Sequence, residues 1–431
     1  MQSRITPSSS RPGRTLYRLS AIILVALLWY PAAASTTDDV PGASMFSFSG
    51  FGTLGLVHSI EDSADFTASP LQPNGAGYTR SWSPDIDSRV GAQVIAQFTP
   101  QLSAMLQVIS EQNYNNTFTP HVEWANVSYQ LMPEFRIRVG RIVLPTYLLS
   151  DTRKVSYANP WVRPPVELYN LSPIFDSDGA DASYTMNLGE AVDTLVGSYG
   201  KTDIAMPAGT TAGGTFRGKR LWVVADTVEY GALTVHFAYE SLSYSYDALD
   251  GLFDALRQFG PQGTALANQY DLDNKRGQVM TAGAMYDSRL WFMTGELGRR
   301  NLHSASVAST AWYIGGGFRL AKFTPYLIYS EDRADGRTST PGLDLSALPP
   351  YLQGSASDIN TALNAILIRN PVQNTISIGS RWDFTKNVDL KLQYDRLDLG
   401  AGSPGTLINL QPGFQPGGTV NLLSITIDFV W

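Results

Sequence analysis

The chain has 431 residues, a formal net charge of −7, a mean hydropathy of −0.10 and no cysteine. The lack of cysteine excludes disulfide frameworks, thiol catalysis and cysteine-ligated metal, and the acidic balance argues against nucleic acid as a partner. Beyond the first 34 residues no run reaches the roughly 18 consecutive apolar residues of a membrane-spanning helix.

At the N-terminus, Arg4, Arg11, Arg14 and Arg18 precede an apolar run from Leu19 to Tyr30, which ends at Pro31-Ala32-Ala33-Ala34. This is the pattern of a cleavable secretory leader over residues 1–34. The run would be roughly 18 Å long as a helix, against a hydrocarbon core of about 30 Å, so it is too short for a spanning anchor. Removing it takes away four arginines and no acid, which lowers the net charge from −7 to −11. A short lead, residues 35–44, then precedes one domain over residues 45–431.

That domain reads as a succession of period-two segments bounded by turn residues. They fall at 46–58, 88–98, 102–111, 121–131, 135–141, 178–188, 191–201, 219–228, 232–242, 278–286, 289–300, 310–320, 323–331, 373–384, 388–397 and 419–431, sixteen in all. Short connections such as Met132-Pro133-Glu134, Gly189-Glu190 and Thr385-Lys386-Asn387 alternate with long ones, the longest being Ser59–Asp87, Ile142–Ser177, Ser243–Gly277 and Asp332–Val372. Short turns at one rim and long loops at the other mark an antiparallel transmembrane β-barrel. An even strand count lets the first strand pair with the last and leaves no edge. At sixteen strands the lumen is too wide for wall side chains to fill and is expected to hold water, with closure rather than an apolar interior supplying stability.

The alternation assigns the faces. In the fifth strand Phe135, Ile137 and Val139 oppose Arg136 and Arg138, and an arginine facing lipid near mid-membrane costs about 2–4 kcal/mol, so the two arginines are expected to face the lumen. Arg89 and Arg381 fall on the polar faces of their strands in the same way. In the last strand Leu423, Ile425, Ile427, Phe429 and Trp431 are expected to meet lipid, and Ser424, Thr426 and Asp428 to line water. Two loops carry helical spacing, Tyr246–Phe259 and Ser357–Ile368, and are expected to fold over the outer mouth.

Signals of chemistry are few. Gly50-Phe51-Gly52-Thr53-Leu54-Gly55 spells G-x-G-x-x-G but lies inside a strand, where the glycines are better explained by close packing than by a dinucleotide. His58, His121, His236 and His303 are scattered without metal-ligand spacing, and His236 reads as a pore-wall residue. No catalytic residue, metal or cofactor is expected. The densest region is the third long loop, with Tyr147, Asp151, Arg153, Trp161, Arg163 and Glu167 among prolines; so apolar a loop is expected to pack against something.

From Met45 to Trp431, the leader, strand plan, long loop after Gly140-Arg141 and aromatic end resemble the proteobacterial sixteen-stranded general porins. The resemblance implies a third loop folded into the lumen, its acids facing basic side chains on the opposite wall. Here Asp151, Glu167, Asp176 and Asp178 would be the loop acids, and Arg89, Arg136, Arg138 and Arg381 the wall bases. It also implies a homotrimer, and an outer-membrane insertion signal at Phe429 and Trp431. The departures are Trp431 where the family usually has Phe, and a third loop without the short acidic, glycine-bearing motif of enterobacterial members. The expected function is passive diffusion of small hydrophilic solutes and ions through a charge-lined pore in the bacterial outer membrane, with membrane lipid and solutes as partners. A substrate-selective channel and a surface adhesin or receptor barrel are the alternatives.

Overall fold

The computed structural model describes residues 44–208, 213–302, 304–336 and 338–431; the leader at 1–34, most of the lead segment and His303 lie outside the described residues. Sixteen long strands, numbered here in chain order, are β1 (Phe46–Ser59), β2 (Arg89–Gln97), β3 (Leu102–Glu111), β4 (His121–Met132), β5 (Phe135–Val143), β6 (Asp176–Leu188), β7 (Ala191–Met206), β8 (Gly214–Tyr230), β9 (Leu233–Tyr246), β10 (Lys275–Asp287), β11 (Trp291–Asn301), β12 (Ser309–Phe318), β13 (Phe323–Ala334), β14 (Val372–Thr385), β15 (Val388–Leu399) and β16 (Thr419–Val430). Each pairs antiparallel with its chain neighbours, and the two-residue pair Trp82–Ser83 adds a seventeenth strand to the sheet. β1 pairs with β2 on one side and with β16 on the other, from Phe51 opposite Val430 to Ser59 opposite Leu422, so the cylinder closes.

Every sequence segment read as a strand is one, and the alternation of short and long connections holds around the ring. The tight turns use the residues their backbones require: Gly189, Gly231 and Asn387 take φ of 70°, 61° and 63°, the left-handed region of two-residue hairpins. β7 through β10 run several residues beyond their expected ends. The β7 and β8 extensions remain paired beyond register shifts after Gly200 and Lys219, with Met206 opposite Gly214. The stretch Gly213–Arg220, rich in glycine and charge, hides that continuation from a periodicity reading.

The outward face meets the expectation for lipid: Leu54, Val90, Val139, Leu195, Phe237, Met280, Leu327 and Ile378 are exposed. Aromatic pairs gather at the short-turn rim, Phe135 with Tyr184, Tyr286 with Trp291, Phe323 with Trp382 and Phe429 with Trp431. Such a girdle suits the membrane–water interface.

The interior departs from a water-lined tube. Three apolar clusters lie on the inward side of the sheet. One joins Tyr147, Trp161 and Leu168 of the β5–β6 connection to Val279, Phe292, Tyr313, Tyr326 and Ile328 of β10–β13. A second joins Val57, Phe66, Ile86 and Val166 to Leu397 and Leu422. The third lies toward the long-loop rim, where α2 (Asp250–Arg257), α3 (Gly260–Tyr270) and α4 (Pro350–Leu367) pack Phe253, Leu256, Ala267, Leu363 and Leu367 over Leu221, Val223 and Leu242. A four-residue helix, α1 (Val166–Tyr169), precedes them within the β5–β6 connection. Stability therefore draws on a hydrophobic interior as well as on closure, and Ser424, Thr426 and Asp428 are fully buried rather than bathed in water. Of the two helical loops expected, one contains a second helix, α3, whose Gly260-Pro261 start places proline where its missing N–H is harmless.

The glycines of the G-x-G motif explain the seam. Gly50 exchanges both backbone hydrogen bonds with Trp431, and a Cβ there would stand 2.0 Å from the indole Cζ2; a Cβ at Gly52 would stand 2.4 Å from Phe429 Cζ. The terminal rings thus lie flat on bare backbone of β1. Gly50→Val should displace Trp431 and destabilise the barrel by about 1–3 kcal/mol, as overpacking does, read as a loss of the folded, heat-modifiable band on a gel. Gly354→Ala, which meets nothing within 4 Å, should leave that band intact.

Candidate functional site

Residues 144–175, between β5 and β6, carry a continuous set of hydrogen bonds to inward-facing side chains. Glu240 on β9 accepts from Thr146 Oγ1 at 2.7 Å and Ser172 Oγ at 3.0 Å. Glu296 on β11 accepts from the Leu148 N–H at 2.9 Å and the Tyr169 hydroxyl at 3.2 Å. From the segment itself, Glu167 accepts from Ser330 on β13 and from Gln373 and Thr375 on β14. Farther round, the Val162 N–H donates to Gln393, Arg381 Nη1 to the Tyr157 carbonyl at 2.6 Å, and Lys391 Nζ to the Ser156 carbonyl at 2.6 Å. An irregular segment buried among apolar residues must satisfy its backbone polar groups, and these wall side chains supply the partners.

Arg163 is the strongest anchor. Its guanidinium is buried, donates to Asp87 at 2.9 and 2.6 Å, reaches Asp395 at 3.3 Å, and donates to Ser424 at 2.8 Å. Burial opposes its charge, but Asp87 and Asp395 outweigh burial and hold it protonated above the ordinary arginine range. One side chain thereby ties residues 144–175 to both ends of the sheet seam.

The anchors fall on β9, β11 and β13–β16, and on Asp87 just before β2. Toward β3–β6 the segment turns charges instead. Lys154 Nζ stands 2.6 Å from both Glu111 and Glu123, and Arg153 Nη2 stands 2.9 Å from Glu123. Asp151 keeps a solvent-accessible face in the stretch near Arg136 and Arg138; the protein packed around it displaces part of its hydration and raises its carboxyl above the ordinary range, and the two arginines partly offset that. Arg138 forms a bidentate pair with Asp181 at 2.6 Å, while Arg136 is exposed and pairs with no described acid within 4.0 Å. A chamber of about 390 Å³ opens beside this band, lined by Arg89, Glu111, Arg141, Arg153, Lys154 and Asp176 among others.

The sequence-derived residues divide accordingly. Asp151, Arg136 and Arg138 come together. Arg89 lines the chamber, with Nε on the Asp87 carbonyl at 3.2 Å. Asp176 and Asp178 stand on β6 rather than in the loop, and Arg141 engages them, Asp178 at 2.8 Å and Asp176 at 3.9 Å. Glu167 faces hydroxyls and an amide rather than a base, because α1 turns it into the apolar interior. Arg381 is an anchor, paired with Asp383 and Asp389. His236 is buried, with Nδ1 2.9 Å from Thr227 Oγ1, and does not stand bare on a pore wall. Arg153 and Arg163 stand out in the sequence only as members of the dense loop, without a role, and Lys154, Glu111, Glu123 and Asp181 do not stand out at all; for Glu111, Glu123 and Asp181 the inward phase of β3, β4 and β6 carries the signal.

Glu111, His121 and Glu123 bring potential metal-ligand atoms within 4.8 Å of one another. The strand spacing of His121 and Glu123 puts them on one face, and Glu111 joins from β3. The Lys154 ammonium already bonds both carboxylates, so a protein cation stands where a metal would be drawn.

No family model and no curated protein sequence matches the chain. Its shape does match solved structures. The outer membrane channel DcaP of Acinetobacter baumannii superposes with a TM-score of 0.52 at 12% identity over 90% of this chain and 97% of that one. OmpF of Salmonella typhi gives 0.51 at 10% identity, with coverages of 90% and 97%. OprB of Pseudomonas putida gives 0.50 at 8% identity, with coverages of 90% and 94%. The fold is that of a sixteen-stranded porin.

Truncating Arg163 leaves Asp87 and Asp395 buried without a counter-charge, and breaking a buried pair this way costs about 3–5 kcal/mol. Arg163→Met should therefore lower the thermal midpoint and expose residues 144–175 to protease. Adding Asp87→Asn should restore part of the loss, and a midpoint unmoved by Arg163→Met would show that the network does not hold the segment.

Proposed function

We propose that the protein is a bacterial outer-membrane channel through which small hydrophilic solutes and ions diffuse passively. Solutes cross beside the exposed Asp151, along the stretch of wall that carries Arg136 and Arg138 on β5. The observation that carries this reading is the two-sided interior: β9–β16 are sealed against residues 144–175 by apolar packing and buried anchors, whereas on the other side Arg136 of β5 is exposed and Arg89, Gln93 and Arg138 of β2 and β5 are half-buried. A closed sheet with a lipid-facing apolar exterior needs an outer membrane to sit in, and the similarity of fold to DcaP, OmpF and OprB supports that setting. Opposed charges across a narrow, low-dielectric passage orient polar solutes and select among ions. No step of bond chemistry is required, and the concentration gradient supplies the drive.

Self-association as a homotrimer is part of the proposal. Outward-facing Ala180, Ala182 and Gly197 leave a shallow groove beside Ile137, Tyr199 and Trp222 on β5–β8, where small residues let a second barrel approach closely.

Reconstituted into a planar bilayer, the protein should give discrete conducting steps, and their absence would overturn the channel. Arg136→Ala with Arg138→Ala should move the reversal potential in a salt gradient toward cation preference; no movement would place the passage elsewhere. Acidification should protonate Asp151 at a pH above that of an ordinary carboxylate, because its pKa is raised. That removes a negative charge from the passage and shifts selectivity toward anions. Asp151→Asn should show the shift already at neutral pH.

A further inference from the structure

A second chamber, of about 300 Å³, lies beside the polar one and shares Leu71, Asn170, Pro173 and Ile204 with it. Its walls are apolar: Ile204, Phe216, Leu242, Leu302 and Leu171 line it, and Phe216 stacks on Tyr244 with centroids 5.6 Å apart. A concave apolar site of a few hundred Å³ with one or two placed polar groups is the usual form of a small-molecule site.

One charge enters this lining. Arg300, on β11, donates through Nη1 to the Leu171 carbonyl at 2.9 Å, while its Nε is buried with no hydrogen-bond partner. No described acid pairs with it within 4.0 Å. Asp332, the acid that faces it from β13, accepts instead from Ser309 Oγ. A guanidinium held in an apolar wall without a paired carboxylate has an unmet demand for an anion, and its planar donor fork matches a carboxylate.

We propose that this chamber binds a small carboxylate carrying an apolar body, such as an aromatic or short aliphatic acid. The carboxylate takes the free donor edge of Arg300, and the body lies against Leu242, Phe216 and Ile204. Neither half of such a ligand suffices alone. A bare anion leaves the apolar wall exposed, and a neutral apolar molecule leaves the guanidinium unpaired. The neighbouring polar chamber, with Arg89, Arg141 and Lys154 among its lining residues, gives the ligand a cationic approach. The inference deepens the channel reading by giving the passage a preferred solute class.

The test is equilibrium binding by titration calorimetry, with the full barrel in phosphatidylcholine nanodiscs free of detergent and with benzoate, hexanoate, acetate and benzyl alcohol as probes. Benzoate and hexanoate should bind at least about tenfold more tightly than acetate or benzyl alcohol. Arg300→Gln should weaken the two acids about ten- to a hundredfold, the range of a lost charge-assisted hydrogen bond, and leave benzyl alcohol unchanged. Ile204→Asn, at the shared edge, tests the apolar wall should Arg300→Gln fail to fold, and it should weaken benzoate and hexanoate but not acetate. Equal affinity for acetate and benzoate, or acids unaffected by both variants, would overturn the site. Planar-bilayer conductance measured on the same preparations separates the two readings: binding without conductance keeps the site and discards the channel, and conductance without binding does the reverse.

Discussion

Everything in this molecule follows from the requirement that a sheet in hydrocarbon have no unpaired edge. Each exposed N–H or C=O in lipid costs several kcal/mol, so β1 must find β16 across the length of the chain. The closing contact is made at close quarters. Gly50 and Gly52 give up side chains so that Trp431 and Phe429 can cover their backbone, and the two rings stack on each other at 5.9 Å. Once the cylinder is shut, alternation divides its residues between lipid and interior. The interior then has to be filled, wetted or both.

This chain fills much of it. On β9–β16, residues 144–175 bring Tyr147, Trp161 and Leu168 against inward Phe292, Tyr313 and Tyr326, and wall side chains meet backbone groups of the segment at Leu148, Ser156, Tyr157 and Val162. Gln393 takes the Val162 N–H, and Arg381 and Lys391 donate to the Tyr157 and Ser156 carbonyls; buried carboxylates add contacts on both sides. Glu240 and Glu296 receive donors from the segment, and Glu167 receives donors from the wall. Where a full charge is buried, as at Arg163, two acids surround it. Such networks contribute little net stability compared with well-packed apolar substitutes, but losing one partner is costly, and that asymmetry fixes the segment in one place. On β3 and β4 the segment meets Glu111 and Glu123 through Lys154 and Arg153, and on β5 the same alternation leaves Arg136 exposed.

Strand number, order and face could be read from the sequence because a barrel repeats one rule sixteen times, and local errors at β7 and β8 did not disturb the count. Arg136 and Arg138 were placed on the inward face by the same rule. The internal core was harder. It was signalled by apolar residues on both faces of one strand, as in Phe323-Thr324-Pro325-Tyr326-Leu327-Ile328-Tyr329, a pattern that a water-filled lumen does not require. Glu167 and Arg381, expected as a loop acid and a wall base of a constriction, are anchors instead, and Arg163 carried no expected role, because all three roles depend on which wall side chain stands opposite residues 144–175. That pairing joins positions as far apart as Arg163 and Ser424, and no spacing encodes it. The Glu111, His121 and Lys154 group likewise needs two strands and the segment in place at once.

The proposed passage runs past Arg136 of β5 and leaves the β16 wall sealed. Because the chain has no cysteine, single cysteines report on this directly. Arg136→Cys places a thiol on the open wall, and Thr426→Cys places one where the wall side chain is fully buried. Each variant is treated, in a conducting bilayer, with a water-soluble, positively charged thiol reagent. A stepwise fall in conductance for Arg136→Cys and no change for Thr426→Cys is the expected result. Modification of both, or of Thr426→Cys alone, would contradict it.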